Sequence, residues 1–266
     1  MQARERQSRH MSAIDTSLGR LGVAETGSGG TPIVFLHGVG SDKSVWSPQL
    51  AHFGRTRRAI AFDYPGYGDS DAAREGTSRD VYAAAILAAM DELEIDRAHI
   101  CGLSLGGVVA IAMHALAPQR CASLILADTF AVHPDGRGIY ERSVAASSDL
   151  RALAEARVDV LLAPGALDDV RREVVKTMAK IAPAAYRIGA EAVWLADQVD
   201  RAGAIHVPTL VVCGQEDKVT PPVLSEELAS IIPGAKLETI PGAGHISNLE
   251  RPAEFNRIVE EFIANG

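Results

Sequence analysis

Residues 98–116 read AHICGLSLGGVVAIAMHAL, and this stretch decides the fold of the chain. It opens with an apolar run that favours a buried strand and ends in a run with the length and composition of a buried helix. The sequence GLSLG at 102–106 joins the two. In a sharp strand-to-helix turn the central residue has a strained backbone, and side chains two positions to either side would collide, so glycine is needed there. The stretch therefore predicts a reactive serine, Ser104, at the N-terminus of a helix.

Strands alternate with helices over much of the chain. Apolar runs predict strands at Ile33–Leu36, Arg58–Asp63, Ala98–Leu103, Ser123–Ala127, Thr209–Cys213 and Lys236–Ile240. Helical patterns cover Asp80–Leu93, Gly106–Leu116, Pro222–Ile232 and Ala253–Ile263. This alternation predicts an α/β fold in which a mostly parallel central sheet is flanked by helices on both faces.

Residues 130–204 interrupt this alternation. They show helical patterns at Leu150–Leu162, Asp168–Ile181 and Ala190–Val199, and they contain no convincing strand. A helical segment inserted between two strands of such a sheet is expected to form a cap over the strand ends, where these sheets bind ligands. Trp194 would lie in the core of this cap or line the pocket beneath it.

The hydroxyl of a serine nucleophile needs a base, and the base needs an acid that orients it. His245 follows the last predicted strand, in GAGH at 242–245, and Asp217 follows the strand before it, in GQED at 214–217. Asp128 also stands at a strand end and is an alternative for the acid. HGVG at 37–40 follows the first strand, where a backbone N–H could help to stabilise an oxyanion.

With these motifs the sequence resembles the α/β-hydrolase superfamily from about residue 20 to 264. CGLSLGG at 101–107, EDKVTPP at 216–222 and HISNLERPAEF at 245–255 resemble the 3-oxoadipate enol-lactonase branch in particular. The resemblance implies that Ser104 is the nucleophile, His245 the general base and Asp217 the acid. It also implies that the backbone N–H groups of Val39 and Leu105 form the oxyanion hole.

The activity implied by the resemblance is hydrolysis of a carboxylic ester or lactone through an acyl-enzyme, without a cofactor. An enol-lactone such as 3-oxoadipate enol-lactone is the favoured substrate, with a role in aromatic degradation. Arginines such as Arg137 and Arg142 of the cap most often form a solvent-exposed helix face. The alternative is that one of them binds the carboxylate of such a lactone. The alternatives are a C–C bond hydrolase of dienoic ring-cleavage products and a non-catalytic ligand-binding protein on the same fold.

Composition excludes several other classes. The 266 residues include 26 Lys and Arg against 34 Asp and Glu, and the net charge of −8 argues against a nucleic-acid partner. The three cysteines and the scattered histidines lack the spacing of a metal site, and no apolar stretch is long enough to span a membrane. The chain is expected to be cytoplasmic, and its oligomeric state is left open, with a homodimer possible.

The expected organisation is a disordered N-terminal tail at 1–17, a core domain at 18–129 and 205–266, and the helical cap at 130–204. The tail is polar and has no apolar segment typical of a secretion signal. Because Met11 is a second methionine, residues 1–10 could lie outside the native protein.

Overall fold

A computed structural model describes residues 13–265, in which eight strands form a single sheet. The strands are β1 (Ala13–Thr16), β2 (Gly19–Thr26), β3 (Ile33–Leu36), β4 (Ala59–Phe62), β5 (Ala98–Leu103), β6 (Cys121–Ala127), β7 (Thr209–Gly214) and β8 (Lys236–Ile240). Their order across the sheet is β1-β2-β4-β3-β5-β6-β7-β8. The pairs β1–β2 and β2–β4 are antiparallel and all other pairs are parallel, which confirms the predicted mostly parallel sheet.

The first two strands form a hairpin that the sequence patterns did not reveal. Ala13–Thr16 pairs with Gly19–Gly22, and the Thr16 hydroxyl closes the turn by donating to the Gly19 carbonyl at 2.7 Å. The prediction of a disordered tail at 1–17 is therefore wrong for Ala13–Thr16, because these residues form an edge strand paired with β2. Residues 1–12 lie outside the described residues.

Helices cover both faces of the sheet. They are α1 (Ser47–Phe53), α2 (Arg79–Glu92), α3 (Leu105–Leu116), α4 (Gly136–Ala145), α5 (Leu150–Leu161), α6 (Asp168–Met178), α7 (Pro183–Trp194), α8 (Val199–Gly203), α9 (Pro222–Ile231), α10 (Ser247–Glu250) and α11 (Pro252–Ala264). Successive residues of a strand face opposite ways, so Val34 and Leu36 of β3 join the apolar cluster under α2 and α3. Ile33 and Phe35 join the cluster under α1 and α11. Among the described residues no helix is both long and apolar enough to cross a bilayer.

Five helices, α4–α8, lie between β6 and β7, and residues 130–204 are called the helical insertion below. The sequence pattern predicted neither α4 nor the bounds of α7. The latter helix begins at Pro183, where the fixed φ of proline suits the first turn, and ends at Trp194 rather than Val199. The indole of Trp194 stacks on Phe130, with ring centroids 5.8 Å apart, so the start of the insertion packs against α7.

Candidate active site

The turn after β5 holds Ser104 in a backbone conformation that few residues adopt. Its φ is 54° and its ψ is −114°. A Cβ on Gly102 would collide with the backbone of Gly106, and a Cβ on Gly106 would collide with the Leu36 carbonyl. The Ser104 N–H donates to the Ala127 carbonyl at 2.9 Å, which fixes the turn against β6. Strain of this kind, about 1–3 kcal/mol, persists only where the surrounding structure imposes it.

His245 and Asp217 are directly hydrogen-bonded. His245 Nδ1 lies 2.8 Å from Asp217 Oδ2, and both side chains are buried. The second oxygen, Asp217 Oδ1, accepts from the backbone N–H groups of Val219 and Thr220 at 2.8 and 2.9 Å. The Thr220 hydroxyl donates to Asp217 Oδ2 at 2.7 Å. The carboxylate is thus fixed from three sides with one oxygen facing the imidazole.

This contact sets the basicity of the imidazole. Burial alone would lower the pKa of His245, but the charge and hydrogen bond of Asp217 raise it above its ordinary value. Burial alone would likewise raise the pKa of Asp217, but His245 and the bonds from Thr220 lower it. The pair therefore favours an ionised carboxylate beside an imidazole that readily accepts a proton.

Asp128, the alternative acid, does not contact the imidazole through a hydrogen bond. Its Oδ1 accepts from the Gly214 N–H at 2.7 Å, and its Oδ2 accepts from the Ser247 hydroxyl at 2.5 Å. Burial and the nearby charge of Asp217 raise the pKa of Asp128 to about 8. Its carboxyl is therefore mainly neutral at pH 7, and it joins the loops after β7 and β8 behind the His245–Asp217 pair.

Ser104 Oγ is buried and has no hydrogen-bond partner among the described residues. The Ser104–His245 bond expected from the motif order is therefore not formed in this structure, although both side chains line one cavity. Such bonds commonly tighten only when substrate is present. The backbone N–H groups of Val39 and Leu105 donate to no other protein group of residues 13–265, so both are available to an oxyanion.

The loop that carries Val39 is supported by two buried polar side chains. The buried His37 ring contacts other groups of the protein: its centroid lies 4.5 Å from that of the Tyr64 ring, and Nδ1 lies 2.8 Å from the Gly38 carbonyl oxygen. Asp63 accepts from the backbone and side-chain nitrogens of Lys43 at 2.8 and 2.6 Å. These contacts hold the loop between β3 and α1 in place. His37 and Asp63 therefore position the loop that carries the Val39 N–H.

The profile of the alpha/beta hydrolase family matches residues 33–258, which include every side chain of this site. The chain belongs to the alpha/beta hydrolase family. The family named on its motifs is thus confirmed.

Three curated relatives show the range within the family. The dihydrolipoyllysine-residue acetyltransferase component of the acetoin cleaving system of Pseudomonas putida is 31% identical, over 89% of this chain and 64% of that protein, so the chain spans less than two thirds of it. The 3-oxoadipate enol-lactonase 1 of Acinetobacter baylyi is 29% identical over 87% of this chain and 88% of its own length. The 2-hydroxy-6-oxononadienedioate/2-hydroxy-6-oxononatrienedioate hydrolase of Cupriavidus pinatubonensis is 30% identical over 92% of this chain and 91% of its own length.

In this alpha/beta hydrolase the cavity beside Ser104 is small, about 50 Å³, and mostly apolar. Trp194 lines it and is also buried against Phe130, so both expectations for this side chain describe it. A larger cleft of about 470 Å³ adjoins it, because Arg157 and Val219 line both. Among residues 13–265 no cluster of His, Cys, Asp and Glu could hold a metal ion.

Neither of the two cap arginines singled out from the sequence lines the cavity beside Ser104. Arg142 lines the larger cleft but pairs with Asp135 at 2.7 Å, and Arg137 is exposed and lines neither cavity. The sequence reasoning did not single out Arg157, which lines both cavities. No motif marks it, since its position depends on how the helical insertion packs.

Glu250 was also missed, although it lies inside the motif HISNLERP. Its Oε1 accepts from the N–H groups of Gly244 and Ile246 at 3.0 and 3.3 Å, on either side of His245. Its Oε2 accepts from the Ala163 N–H of the insertion at 2.7 Å. One buried carboxyl thus fixes the loop of the histidine and joins it to the insertion. Its position five residues after the histidine was the available sequence signal.

Proposed function

We propose that the protein is a serine hydrolase that cleaves a carboxylic ester or lactone through an acyl-enzyme. The observation that carries this proposal is the strained turn that places Ser104 in the same cavity as His245, whose Nδ1 lies 2.8 Å from Asp217. This arrangement contains a nucleophile, a base and an acid that orients the base. The helical insertion serves as the cap that encloses the substrate.

In the first step Ser104 Oγ attacks the substrate carbonyl while His245 Nε2 takes its proton. The carbonyl oxygen becomes an oxyanion that accepts from the N–H groups of Val39 and Leu105, each of which contributes about 3 kcal/mol in such sites. His245 then gives the proton to the leaving oxygen, and the C–O bond breaks. Asp217 stabilises the His245 imidazolium in both steps, because its negatively charged Oδ2 lies 2.8 Å from His245 Nδ1.

Deacylation repeats these steps with water. His245 removes a proton from the water, which attacks the acyl carbon, and the second tetrahedral intermediate uses the same two N–H groups. The proton returns to Ser104 Oγ as the acyl–enzyme bond breaks. The products are a carboxylic acid and an alcohol, or a single hydroxy acid from a lactone.

Among substrates of this type, an enol-lactone is favoured because its leaving group is a stabilised enolate and because the enol-lactonase of Acinetobacter baylyi resembles the chain over most of both lengths. Hydrolysis of a C–C bond in a dienoic ring-cleavage product is the second candidate. The relative from Cupriavidus pinatubonensis favours it, with 30% identity over nine tenths of both chains. The hydrophobic Leu103 before Ser104 disfavours it, since asparagine is typical there in such hydrolases.

The deciding experiment is a panel of p-nitrophenyl esters, simple lactones, an enol-lactone and a dienoate, run beside labelling with an active-serine phosphonate. We expect turnover of esters or lactones, a burst of the first product, and phosphonate attached at Ser104. The Ser104→Ala protein should lose both turnover and label while it unfolds at the same urea concentration. Full turnover in Ser104→Ala would refute the mechanism, and a folded wild type without label would favour a ligand-binding protein.

A further inference from the structure

The cleft outside the catalytic cavity is bounded by the helical insertion and by the loop that carries Asp217. Its lining includes Arg142 and Arg157 from the insertion, and Lys218 from the loop after β7. Its volume of about 470 Å³ is several times that of the cavity beside Ser104. A substrate whose carbonyl reaches Ser104 would leave its more distant part in this cleft.

The charges around this cleft are unbalanced. Of its three cationic side chains, Arg142 pairs with Asp135, the only carboxylate of the lining. The Arg157 side chain has neither a hydrogen bond nor an ion pair to any residue of the described range 13–265. Lys218 Nζ donates to the Asp159 backbone carbonyl at 3.4 Å and forms no ion pair with a described carboxylate. Two positive charges thus face the cleft of a protein whose net charge is −8.

Arg157 stands where the two cavities meet. It lies near the end of α5, is half-buried, and lines both the cleft and the space beside Ser104. Its charge is close enough to lower the pKa of His245, against the larger opposite effect of Asp217. The guanidinium of arginine is planar, and it can donate two parallel hydrogen bonds to one carboxylate. Since Arg157 has no carboxylate partner among the described residues, its guanidinium is free to bind a carboxylate of the substrate.

We propose that Arg157, with Lys218, forms a subsite for a carboxylate on the substrate. The substrates are then esters or lactones that carry a second, ionised carboxyl group, placed in the outer cleft while the reacting carbonyl is at Ser104. This inference rests on the proposed function, because it names the class of substrate for the same site. The two cations at the cleft also attract anionic substrates from solution.

The test compares each anionic ester with a neutral ester of the same scaffold. One pair, mono-p-nitrophenyl succinate and p-nitrophenyl butyrate, places the charge on the acyl group, and a second pair, 3-carboxyphenyl acetate and phenyl acetate, places it on the leaving group. The readout is the ratio of kcat/KM, anionic over neutral, in wild type and Arg157→Gln. Any change in the pKa of His245 affects both esters and cancels in this ratio.

We expect the ratio in Arg157→Gln to fall about tenfold to a hundredfold for at least one pair, which is the range for a lost charge-assisted hydrogen bond. The pair that responds tells whether the acyl or the leaving group occupies the cleft. Arg151→Gln is the matched control, since Arg151 is exposed on the same helix and its nearest carboxylate is Glu155 at 3.9 Å. A ratio that stays within twofold of wild type for both pairs would overturn the subsite.

A binding measurement separates failure of the subsite from failure of the proposed function. Glutarate should raise the thermal unfolding midpoint of the wild type and of Arg151→Gln, and should leave that of Arg157→Gln unchanged. A protein that hydrolyses no ester and yet shows this pattern has the subsite but lacks the proposed activity. A protein that hydrolyses neutral esters, while glutarate stabilises wild type and Arg157→Gln equally or neither of them, keeps the activity and refutes the subsite.

Discussion

Replacing Asp217 by asparagine tests the contact on which the proposed mechanism depends. In the native site Asp217 Oδ1 accepts two backbone N–H groups, from Val219 and Thr220, and Oδ2 faces His245 Nδ1. The asparagine oxygen should keep accepting from the two backbone N–H groups. In the flipped amide the NH2 group would face these two N–H donors, and each unsatisfied donor would cost about 1–3 kcal/mol. The amide nitrogen then points at His245.

This orientation determines how large the loss is. An amide N–H donates to Nδ1, so the imidazole must carry its own proton on Nε2, where the Ser104 proton has to be accepted. The base is therefore present in the wrong tautomer, with correct geometry otherwise. Loss of the acid in this way lowers kcat by about 10⁴-fold, or about 5 kcal/mol of transition-state stabilisation. The assay is kcat on p-nitrophenyl butyrate, with urea unfolding to show that the fold is retained.

Asp128→Asn provides the matched comparison. The asparagine oxygen can keep the Gly214 N–H, and its amide can donate to the Ser247 hydroxyl, which is able to accept. Because the Asp128 carboxyl is already mainly neutral at pH 7, we expect kcat to change by less than about tenfold, since a neutral hydrogen bond is worth about 1 kcal/mol. If Asp128→Asn lost more activity than Asp217→Asn, the assignment of Asp217 as the acid would be wrong.

Three other outcomes follow from the same contacts. Gly102→Ala places a Cβ against the backbone of Gly106 and should lower the free energy of unfolding, measured in urea, by about 3 kcal/mol or more. Gly165→Ala is the control: a Cβ there meets no other atom, so the free energy of unfolding should change by less than about 1 kcal/mol. The pH profile of kcat/KM should fall on its acid side with a midpoint above 6.5, because the pKa of His245 is raised and its protonated form cannot act as base; a midpoint at or below 6.5 would contradict this. Glu250→Ala leaves three backbone N–H groups without their acceptor and should cost about 3 kcal/mol or more of unfolding free energy and lower kcat; an unchanged unfolding midpoint would show that the clamp is unimportant.

The sequence predicted best what depends on continuous local pattern. All six predicted strands match the structure to within two residues. The five strands β3–β7 are almost entirely buried and read as apolar runs, whereas β8, at the edge of the sheet, is exposed except at Ile240. The hairpin that begins at Ala13 was missed because its strands mix polar and apolar residues at an edge of the sheet. The helix ending at Trp194 was misplaced because alanine-rich residues continue the helical pattern on both sides of its true end.

The site shows the same division. Ser104, Asp217 and His245 each follow a strand within a recognisable motif, and parallel strands bring their carboxyl ends to one edge of the sheet, so their proximity could be expected. Glu250 joins segments far apart in the chain, and Arg157 lies beside both cavities only because of how the helical insertion packs. Their roles depend on tertiary packing, on which a single sequence carries no direct information.

The helical insertion and the loop of His245 are physically joined. The His245 N–H donates to the Leu161 carbonyl at 2.8 Å, and Glu250 connects the His245 loop to the Ala163 N–H. Leu161 ends α5, the helix that carries Arg157 just one turn earlier. The segment that would select the charge of the substrate is therefore the segment that holds His245 in position. Because of this, a substitution in α5 that moves the helix must disturb His245 as well, whereas a change confined to the Arg157 side chain leaves these backbone contacts in place.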